Sequence, residues 1–298
     1  MAGWTVESVA PLTLHRTNRL ANMFTLSPFV WRDGDVFRLL LRGVPRRDDE
    51  PRLKMAEIWH GISEDGLHFE MDEAPVIFPG PDLVDLDGCE DPTVRVDGET
   101  VRVWYTGYNE QQKVGRLLLA RGPDVRRLAK AGLAIDSSPG FADPKEATVA
   151  AEGAGRLRMF FEYSHDDASL IGQAEADSLD GPWEGFAPSP LAPRPDAWDA
   201  WHLSPGPLVG EGTTHPTLFY NGATQDAHWR IGWATFDRRL TKLVDRCTDA
   251  LVTPDTPVSQ GATDIAFAAS AVEHEGAVRL YFSQSDQDLR CAVVRRTR

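Results

Sequence analysis

The chain repeats one pattern five times, and this repetition restricts its fold more than any other feature of the sequence. Each copy has an apolar run, a turn that usually contains Gly, a second aromatic or aliphatic run, a polar loop and a further strand. The second runs read RLLLRG, VWYTGY, MFFEYS, LFYNGA and LYFSQS. Successive copies begin about 55–65 residues apart, the kind of period that marks a repeat architecture.

The repeats predict an all-β fold. The runs are rich in Val, Leu, Phe, Trp and Tyr and are bounded by DG, EG or related turns, and no long segment has helical periodicity. The fifth copy lacks an outer strand, which the N-terminal segment TVESVAPLTLH can supply, and this would hide two sheet edges. We therefore expect a five-bladed β-propeller in which an N-terminal strand closes the ring, with residues 1–298 in one domain; a β-sandwich is the alternative.

Composition limits the classes of partner. The formal net charge of -14 disfavours binding to duplex nucleic acid, which needs clustered Lys and Arg, but it does not disfavour a neutral sugar. The apolar runs are too short to span a bilayer, so no membrane partner is expected. The N-terminus lacks a charged region followed by an apolar stretch, and the three cysteines have no metal-ligand spacing, so we expect a cytoplasmic protein.

The sequence gives no sign of a metal or cofactor. It contains no HExxH, CxxC or calcium-loop pattern, no GxSxG elbow and no phosphate-binding P-loop. We therefore expect no metal ligands and no cofactor.

The repeat predicts where polar residues gather. Because neighbouring strands of a blade are antiparallel, the first strand starts at the channel mouth where the second strand ends. The candidates from both positions are Ser27, Arg42, Glu90, Asp91, Tyr108, Lys145, Glu146, Glu162, His202, Asn221 and Asp286. Carboxyl groups for proton transfer, polar groups for hydroxyls and aromatic faces together suit a small glycoside or an oligosaccharide.

Each candidate also has an ordinary structural interpretation. An Asp before Pro, such as Asp91, is usually a turn former, and a lone Arg or Glu is usually solvated or ion-paired on the surface. Because the repeat places all of these residues at one mouth, a functional role is better supported for the group than for any one residue.

Several segments resemble glycoside hydrolase family 130. GCEDPTVRVDGETVRVWYTGY is similar to that family's Gly-x-Glu-Asp-Pro-Arg motif with its following hairpin. ISEDGLHFEMDEAPVIFP, GPLV with LFYNG, and LYFSQSDQDLRCAVV resemble its first, fourth and fifth blades. The resemblance implies a five-bladed propeller that phosphorolyses or hydrolyses β-mannosides with inversion. It implies Asp91 as the general acid, and Ser27, Arg42 and Asp286 as groups that hold the sugar.

The departures from that family favour water over phosphate as the second substrate. Thr93 follows the Asp-Pro pair where Arg is usual, Glu162 stands where phosphorylases carry an Arg, and Asn221 replaces a His. His202 lies near the position of a usual Lys, whereas Lys145 is retained. Because phosphate recognition depends on cationic donors, we expect a hydrolase with Glu162 as general base and Glu146 as the next candidate.

Three alternatives stay open. The chain could be a phosphorylase that uses inorganic phosphate and releases mannose 1-phosphate. It could be a sugar-binding propeller without catalytic activity. A relative in fold, the family 43 type, would carry similar carboxylates with another sugar specificity.

Overall fold

Five small, mainly antiparallel sheets follow one another along the chain in the computed structural model, which describes residues 3–16, 19–46, 55–152, 155–255 and 263–297. They form a five-bladed β-propeller, so the predicted fold class is confirmed and the sandwich alternative is wrong. Among the described residues, no helix is both long and apolar enough to cross a membrane.

The strands of the first three blades have regular lengths. Blade one contains β3 (Met23–Asp33), β4 (Val36–Pro45), β5 (Glu57–Ser63) and β6 (His68–Met71), with β2 (Thr13–His15) parallel to β6 at its outer edge. Blade two contains β7 (Gly88–Asp97), β8 (Thr100–Asn109), β9 (Val114–Gly122) and β10 (Ala129–Ile135). Blade three contains β11 (Ala142–Ala151), β12 (Leu157–His165), β13 (Ala168–Ala176) and β14 (Glu184–Pro188). Short 3-10 helices, Arg19–Asn22 and Leu83–Asp85, precede blades one and two.

The last two blades show a broken strand and the ring closure. The inner strand of blade four is divided into β15 (His202–Ser204) and β16 (Leu208–Val209), followed by β17 (Thr217–Ala223), β18 (Trp229–Phe236) and β19 (Leu243–Arg246). Blade five contains β20 (Ala266–His274), β21 (Ala277–Gln284) and β22 (Asp288–Arg296). Its fourth strand is β1 (Trp4–Pro11), antiparallel to β22. The predicted closure by the N-terminal strand is confirmed, and it covers the edge of β22.

Side chains of each second strand alternate between the two neighbouring blades. In blade two, Tyr105 packs toward blade one and Trp104 toward blade three. In blade three, Phe161 packs toward blade two and Phe160 toward blade four. Successive strand residues point to opposite faces, and both faces of a blade are covered. The second strand therefore requires a continuous apolar run rather than an alternation of apolar and polar residues.

Each inner strand is irregular at the same height. The pairing register shifts after Leu26, Glu90, Lys145 and Ala268, and blade four breaks after Ser204. Bulges re-aim side chains and are common next to active sites. These irregularities mark the channel mouth where the site lies.

Side-chain hydroxyl groups on three inner strands donate hydrogen bonds to backbone carbonyls in the irregular segment of the next blade around the ring. Thr93 Oγ1 donates to Ala147 O at 2.6 Å and Thr148 Oγ1 donates to Gly206 O at 2.6 Å. Ser270 Oγ donates to Pro28 O at 2.9 Å. The residue that interrupts the Asp-Pro-Arg pattern, Thr93, thus holds one blade to the next.

Candidate active site

Three residues in left-handed backbone conformations lie at equivalent bulges of the first three blades. Ser27, Asp91 and Glu146 have φ values of 51°, 50° and 50°. A non-glycine residue in this region costs about 1–3 kcal/mol, and such residues cluster at functional sites. The bulges place all three residues at the mouth, where Ser27 Oγ donates to Asp91 and Glu146 interacts electrostatically with Asp91.

Asp91 is the centre of this group. Its carboxyl is buried, with 8% of the side chain exposed. Ser27 Oγ donates to Asp91 Oδ1 at 2.5 Å, and Arg42 Nη1 lies 3.6 Å from the same oxygen. Ser27 is fixed in turn because its backbone N–H donates to Ser283 Oγ at 3.0 Å. Two elements of blade one therefore position the carboxyl of blade two.

Arg42 links the carboxyl groups of the mouth. Its Nη2 donates to Glu90 Oε1 at 2.6 Å. Burial alone would lower the pKa of the guanidinium, but Glu90, Asp91, Glu146 and Asp286 raise it, and the net shift is upward. Arg42 is therefore a permanent cation surrounded by acids.

Glu146 lies on the bulge of β11 in blade three, within electrostatic reach of the carboxyl of Asp91. Burial raises the pKa of Glu146 well above its usual value, and the charges of Asp91 and Glu162 raise it further against the opposing effect of Lys145. Its backbone N–H points to Thr106 Oγ1 at 3.4 Å. Glu146 interacts electrostatically with both Asp91 and Glu162.

Glu162 and Lys145 form a second pair on blade three. They face each other in the register of β11 and β12, and Lys145 Nζ lies 3.1 Å from Glu162 Oε1. Glu162 is buried with 4% of its side chain exposed, whereas Lys145 is 38% exposed. The charge of Glu162 raises the pKa of Lys145.

His202 completes this side of the mouth. Its Nδ1 accepts the N–H of Ser169 at 3.0 Å, and its ring stacks on Trp229 at a centroid distance of 5.6 Å. Burial lowers the pKa of His202 below its usual value, although Glu162 acts in the opposite direction. At neutral pH the imidazole is therefore uncharged.

Asp286 joins the group from the turn between β21 and β22, with φ of 54°. Burial raises its pKa, the guanidinium of Arg42 lowers it and the charge of Asp91 raises it. Asp286 therefore lies within electrostatic reach of the Arg42–Asp91 contact.

Two sequence candidates lie outside this group. The amide of Asn221 is fully buried between blades four and five: Oδ1 accepts the N–H of Ala268 at 2.7 Å, and Nδ2 donates to Ala268 O at 3.2 Å. The expected sugar contact of Asn221 is thus replaced by a structural one, because its polar atoms are used between blades. Tyr108 lies on the rim, and its hydroxyl donates to Glu110 at 2.9 Å.

Sequence reasoning missed two supporting residues, Thr106 and Ser283. A signal was available, since the residue after each aromatic or aliphatic triplet occupies an equivalent place. In chain order these residues are Arg42, Thr106, Glu162, Asn221 and Ser283. Reading that position across all five copies would have identified both hydroxyls.

The structural role of Asn221 makes a testable prediction. We expect Asn221→Ala to lower the free energy of unfolding by about 1–3 kcal/mol, because the buried N–H of Ala268 loses its acceptor, and thus to lower Tm by a few degrees. Calorimetry would measure this. Asn22→Ala, at an exposed position, serves as the control with little change. An unchanged Tm with a collapse of substrate affinity would contradict this assignment.

In the described part of the chain, no group of three or more His, Cys, Asp or Glu has an arrangement that could hold a metal ion. What the site offers is a dense set of acids beside two cations and a few hydroxyls. Such a set can donate a proton, accept a proton and hydrogen-bond the hydroxyl groups of a sugar.

Comparison with known proteins identifies relatives of similar length. A curated β-1,2-mannobiose phosphorylase from Thermoanaerobacter sp. (strain X514) is 22% identical over 307 residues, covering 94% of this chain and 98% of that protein. No protein-family model matches the chain.

Solved structures show the same fold. A β-1,2-mannobiose phosphorylase from Listeria innocua superposes with a TM-score of 0.79 at 18% identity, covering 96% of this chain and 90% of that one. A second structure represents the glycoside hydrolases, within the family 130 mannoside phosphorylases, that target β-1,2-mannosidic linkages in Candida mannan. It has a TM-score of 0.77 at 20% identity and covers 91% of this chain and 84% of that one. These likenesses confirm the resemblance to glycoside hydrolase family 130.

Proposed function

We propose that this chain, which resembles glycoside hydrolase family 130 in sequence and fold, hydrolyses β-mannosides with inversion. The coarser part of this proposal, action on a β-mannoside, is supported by the relatives just described. The finer part, that water rather than phosphate is the nucleophile, rests on the charges of the site.

The charge balance of the mouth carries the proposal. The group contains five carboxyl groups and two cations: Glu90, Asp91, Glu146, Glu162, Asp286, Arg42 and Lys145. Both cations are already paired with carboxylates, and His202 is neutral at pH 7. A phosphate dianion needs unopposed cationic donors. Here it would face uncompensated negative charge in a partly desolvated site.

Asp91 is proposed as the general acid and Glu162 as the general base. Inverting glycosidases need two carboxyl groups on opposite faces of the sugar, with room for water between them. Glu162 is buried at the mouth, and Lys145 Nζ lies 3.1 Å from its Oε1. Glu146 is the weaker candidate for the base, because burial and the charges of Asp91 and Glu162 raise its pKa and disfavour the carboxylate that a base needs.

The remaining groups are proposed to hold the sugar. Ser27, Arg42, Glu90 and Asp286 surround Asp91 from three different blades. Hydroxyl and guanidinium donors together with carboxylate acceptors can satisfy the hydroxyl groups of one monosaccharide. When the hydroxyl groups of the sugar replace water at these side chains, the new hydrogen bonds would orient the sugar relative to Asp91.

Phosphorolysis is the second candidate. The observation in its favour is that the Thermoanaerobacter and Listeria relatives are named as phosphorylases. Lys145 is the cation that the resemblance connects with phosphate, and 38% of its side chain is exposed. Release of Lys145 from Glu162 would then be needed before phosphate could bind.

The deciding experiment is turnover of β-1,2-mannobiose and aryl β-mannosides with and without inorganic phosphate. We expect free mannose, no dependence of the rate on phosphate, and the α-anomer as the first product seen by NMR. Mannose 1-phosphate as the product would overturn hydrolysis and establish the second candidate. Sugar binding without turnover under either condition would indicate a non-catalytic propeller.

A further inference from the structure

We propose that Trp229 and Phe267, with His202 beside them, form an apolar surface that binds the leaving-group unit of the substrate, the sugar or aryl group joined to the mannose that is cleaved. These three residues are called the aromatic row. The inference rests on the proposed function, because it assumes that a β-mannoside binds at the mouth. It gives blades four and five a part in substrate selection.

The mouth is charged on one side and neutral on the other. Three positions of each blade lie at the height of the bulges: the inner-strand residue at the register shift, the residue after it, and the partner of the first on the second strand. In blades one to three these positions include Arg42, Glu90, Asp91, Lys145, Glu146 and Glu162. In blades four and five they are all uncharged, namely Ser204, Pro205, Asn221, Phe267, Ala268 and Ser283.

The polar groups on the neutral side are not free to bind a substrate. The amide of Asn221 is bonded to the N–H and the carbonyl of Ala268. Ser283 Oγ accepts the backbone N–H of Ser27 at 3.0 Å, and Ser204 is fully buried. What this side of the mouth can offer is therefore the surface of the aromatic row.

The three rings of the row contact one another across the junction of blades four and five. The ring of His202 stacks on Trp229 with a centroid distance of 5.6 Å and an interplanar angle of 28°. Trp229 meets Phe267 edge-on at 5.2 Å and 63°, and aromatic pairs at such distances stabilise each other. All three residues are half-buried, so each ring keeps part of its surface open.

Both ends of the row adjoin the charged side of the mouth. His202 lies on β15, which packs against β12 and β13 of blade three, and its Nδ1 accepts the N–H of Ser169 at 3.0 Å. Phe267 pairs with Ser283, whose hydroxyl holds the backbone of Ser27. A substrate that contacts Asp91 therefore has the row within the same mouth.

Trp229 is held in place before any substrate binds. Its backbone N–H donates to Asp264 O at 3.2 Å, and its carbonyl accepts Arg230 Nη1 at 2.9 Å. Arg230 Nη2 and His228 Nδ1 lie 2.9 and 3.1 Å from Asp264 Oδ2. A surface that is ordered in advance loses less conformational entropy on binding than a mobile one.

The chemistry of the two sides assigns them to different parts of the substrate. The hydroxyl groups of the cleaved mannose need hydrogen-bond partners, which the residues around Asp91 supply. The row supplies apolar ring surface, which fits the C–H face of a second pyranose or the ring of an aryl group. The row is thus expected to select β-mannosides whose leaving group is a ring.

The first test measures binding without turnover. In the Asp91→Asn background, calorimetry should show that mannobiose binds more tightly than mannose. Adding Trp229→Ala should weaken mannobiose binding by about 5–50-fold, because the ring surface is lost. Mannose affinity should stay within about twofold. Trp229→Phe, which keeps an aromatic ring, should restore part of the preference for mannobiose.

Trp31→Ala is the matched control. Trp31 is also half-buried and contacts another aromatic ring, Phe29 at 6.5 Å, but it lies toward the end of β3 away from the mouth. Its replacement should change neither affinity by more than about twofold. Thermal unfolding checks the fold of each variant, and Trp229→Leu, which keeps an apolar contact with Phe267, replaces Trp229→Ala if the latter is unfolded.

The second test compares substrates that differ only in the leaving group. Trp229→Ala should lower kcat/KM on mannobiose by about 5–50-fold and leave kcat/KM on β-mannosyl fluoride within about twofold, since fluoride has no ring to contact the row. Equal losses on both substrates, or equal weakening of mannose and mannobiose, would overturn the inference and leave the proposed function intact. An unchanged preference for mannobiose would do the same. If the unmutated chain neither binds nor cleaves any β-mannoside, the proposed function is overturned and the inference with it.

Discussion

Asp91→Asn is expected to lower kcat on an unactivated β-mannoside by about 10²–10⁴-fold, because the amide keeps the shape of the side chain but cannot transfer a proton. The backbone should not change, since Asn tolerates the left-handed conformation that residue 91 adopts at a φ of 50°. Ser27 can still donate to the amide oxygen. Steady-state kinetics on mannobiose would measure the loss.

Asp97→Asn is the matched control for this variant. Asp97 ends the same strand, β7, and is exposed at the opposite end from the mouth. Its replacement should leave kcat within about twofold of the wild type, since surface substitutions have small effects. Normal turnover of mannobiose by Asp91→Asn would show that another group is the acid.

Glu162→Gln is expected to lower kcat by a similar factor of about 10²–10⁴ with little change in KM. The amide cannot accept the proton of the attacking water, while the residues near Asp91 still bind the sugar. The loss should be the same with and without phosphate. Glu184→Gln is the control, because Glu184 lies exposed on the outer strand β14 of the same blade.

Removal of the whole carboxyl sharpens this test. In Glu162→Ala, Lys145 loses the carboxylate 3.1 Å away and becomes an unopposed cation beside an open space. A small anion such as azide should then bind there and restore turnover by forming an α-mannosyl azide. A phosphate-dependent wild type whose activity survives Glu162→Gln would contradict the role of Glu162 as base.

The residues of the site were predictable to the extent that the repeat determines them. The triplets LLL, VWY, MFF, LFY and LYF identify the second strand of every blade, because a strand covered on both faces needs a continuous apolar run. The next residue in each copy lies at one height in the ring, and this includes Arg42 and Glu162. Asp91 and Glu146 likewise follow from equivalent positions on the inner strands.

The roles of neighbours across blades were not predictable in this way. Asn221 has the same place in its copy as Glu162, yet its amide is used by Ala268 of the next blade. Thr93 looked like a lost phosphate ligand, but its hydroxyl holds Ala147 O. Position in a repeat gives the height and face of a side chain and leaves open which atoms of another blade lie within 3 Å.

What the sequence by itself determined is therefore the number of blades, the strand that closes the ring and the positions in each repeat that lie near the mouth. These follow from local periodicity and from the need to cover sheet edges and apolar faces. Only the tertiary structure decided the contact of Ser27 with Asp91, the pairing of Lys145 with Glu162 and the ion pair of Arg42 with Glu90. Charge interactions depend on distance and burial between segments far apart in the chain, and these exist only once the ring has closed.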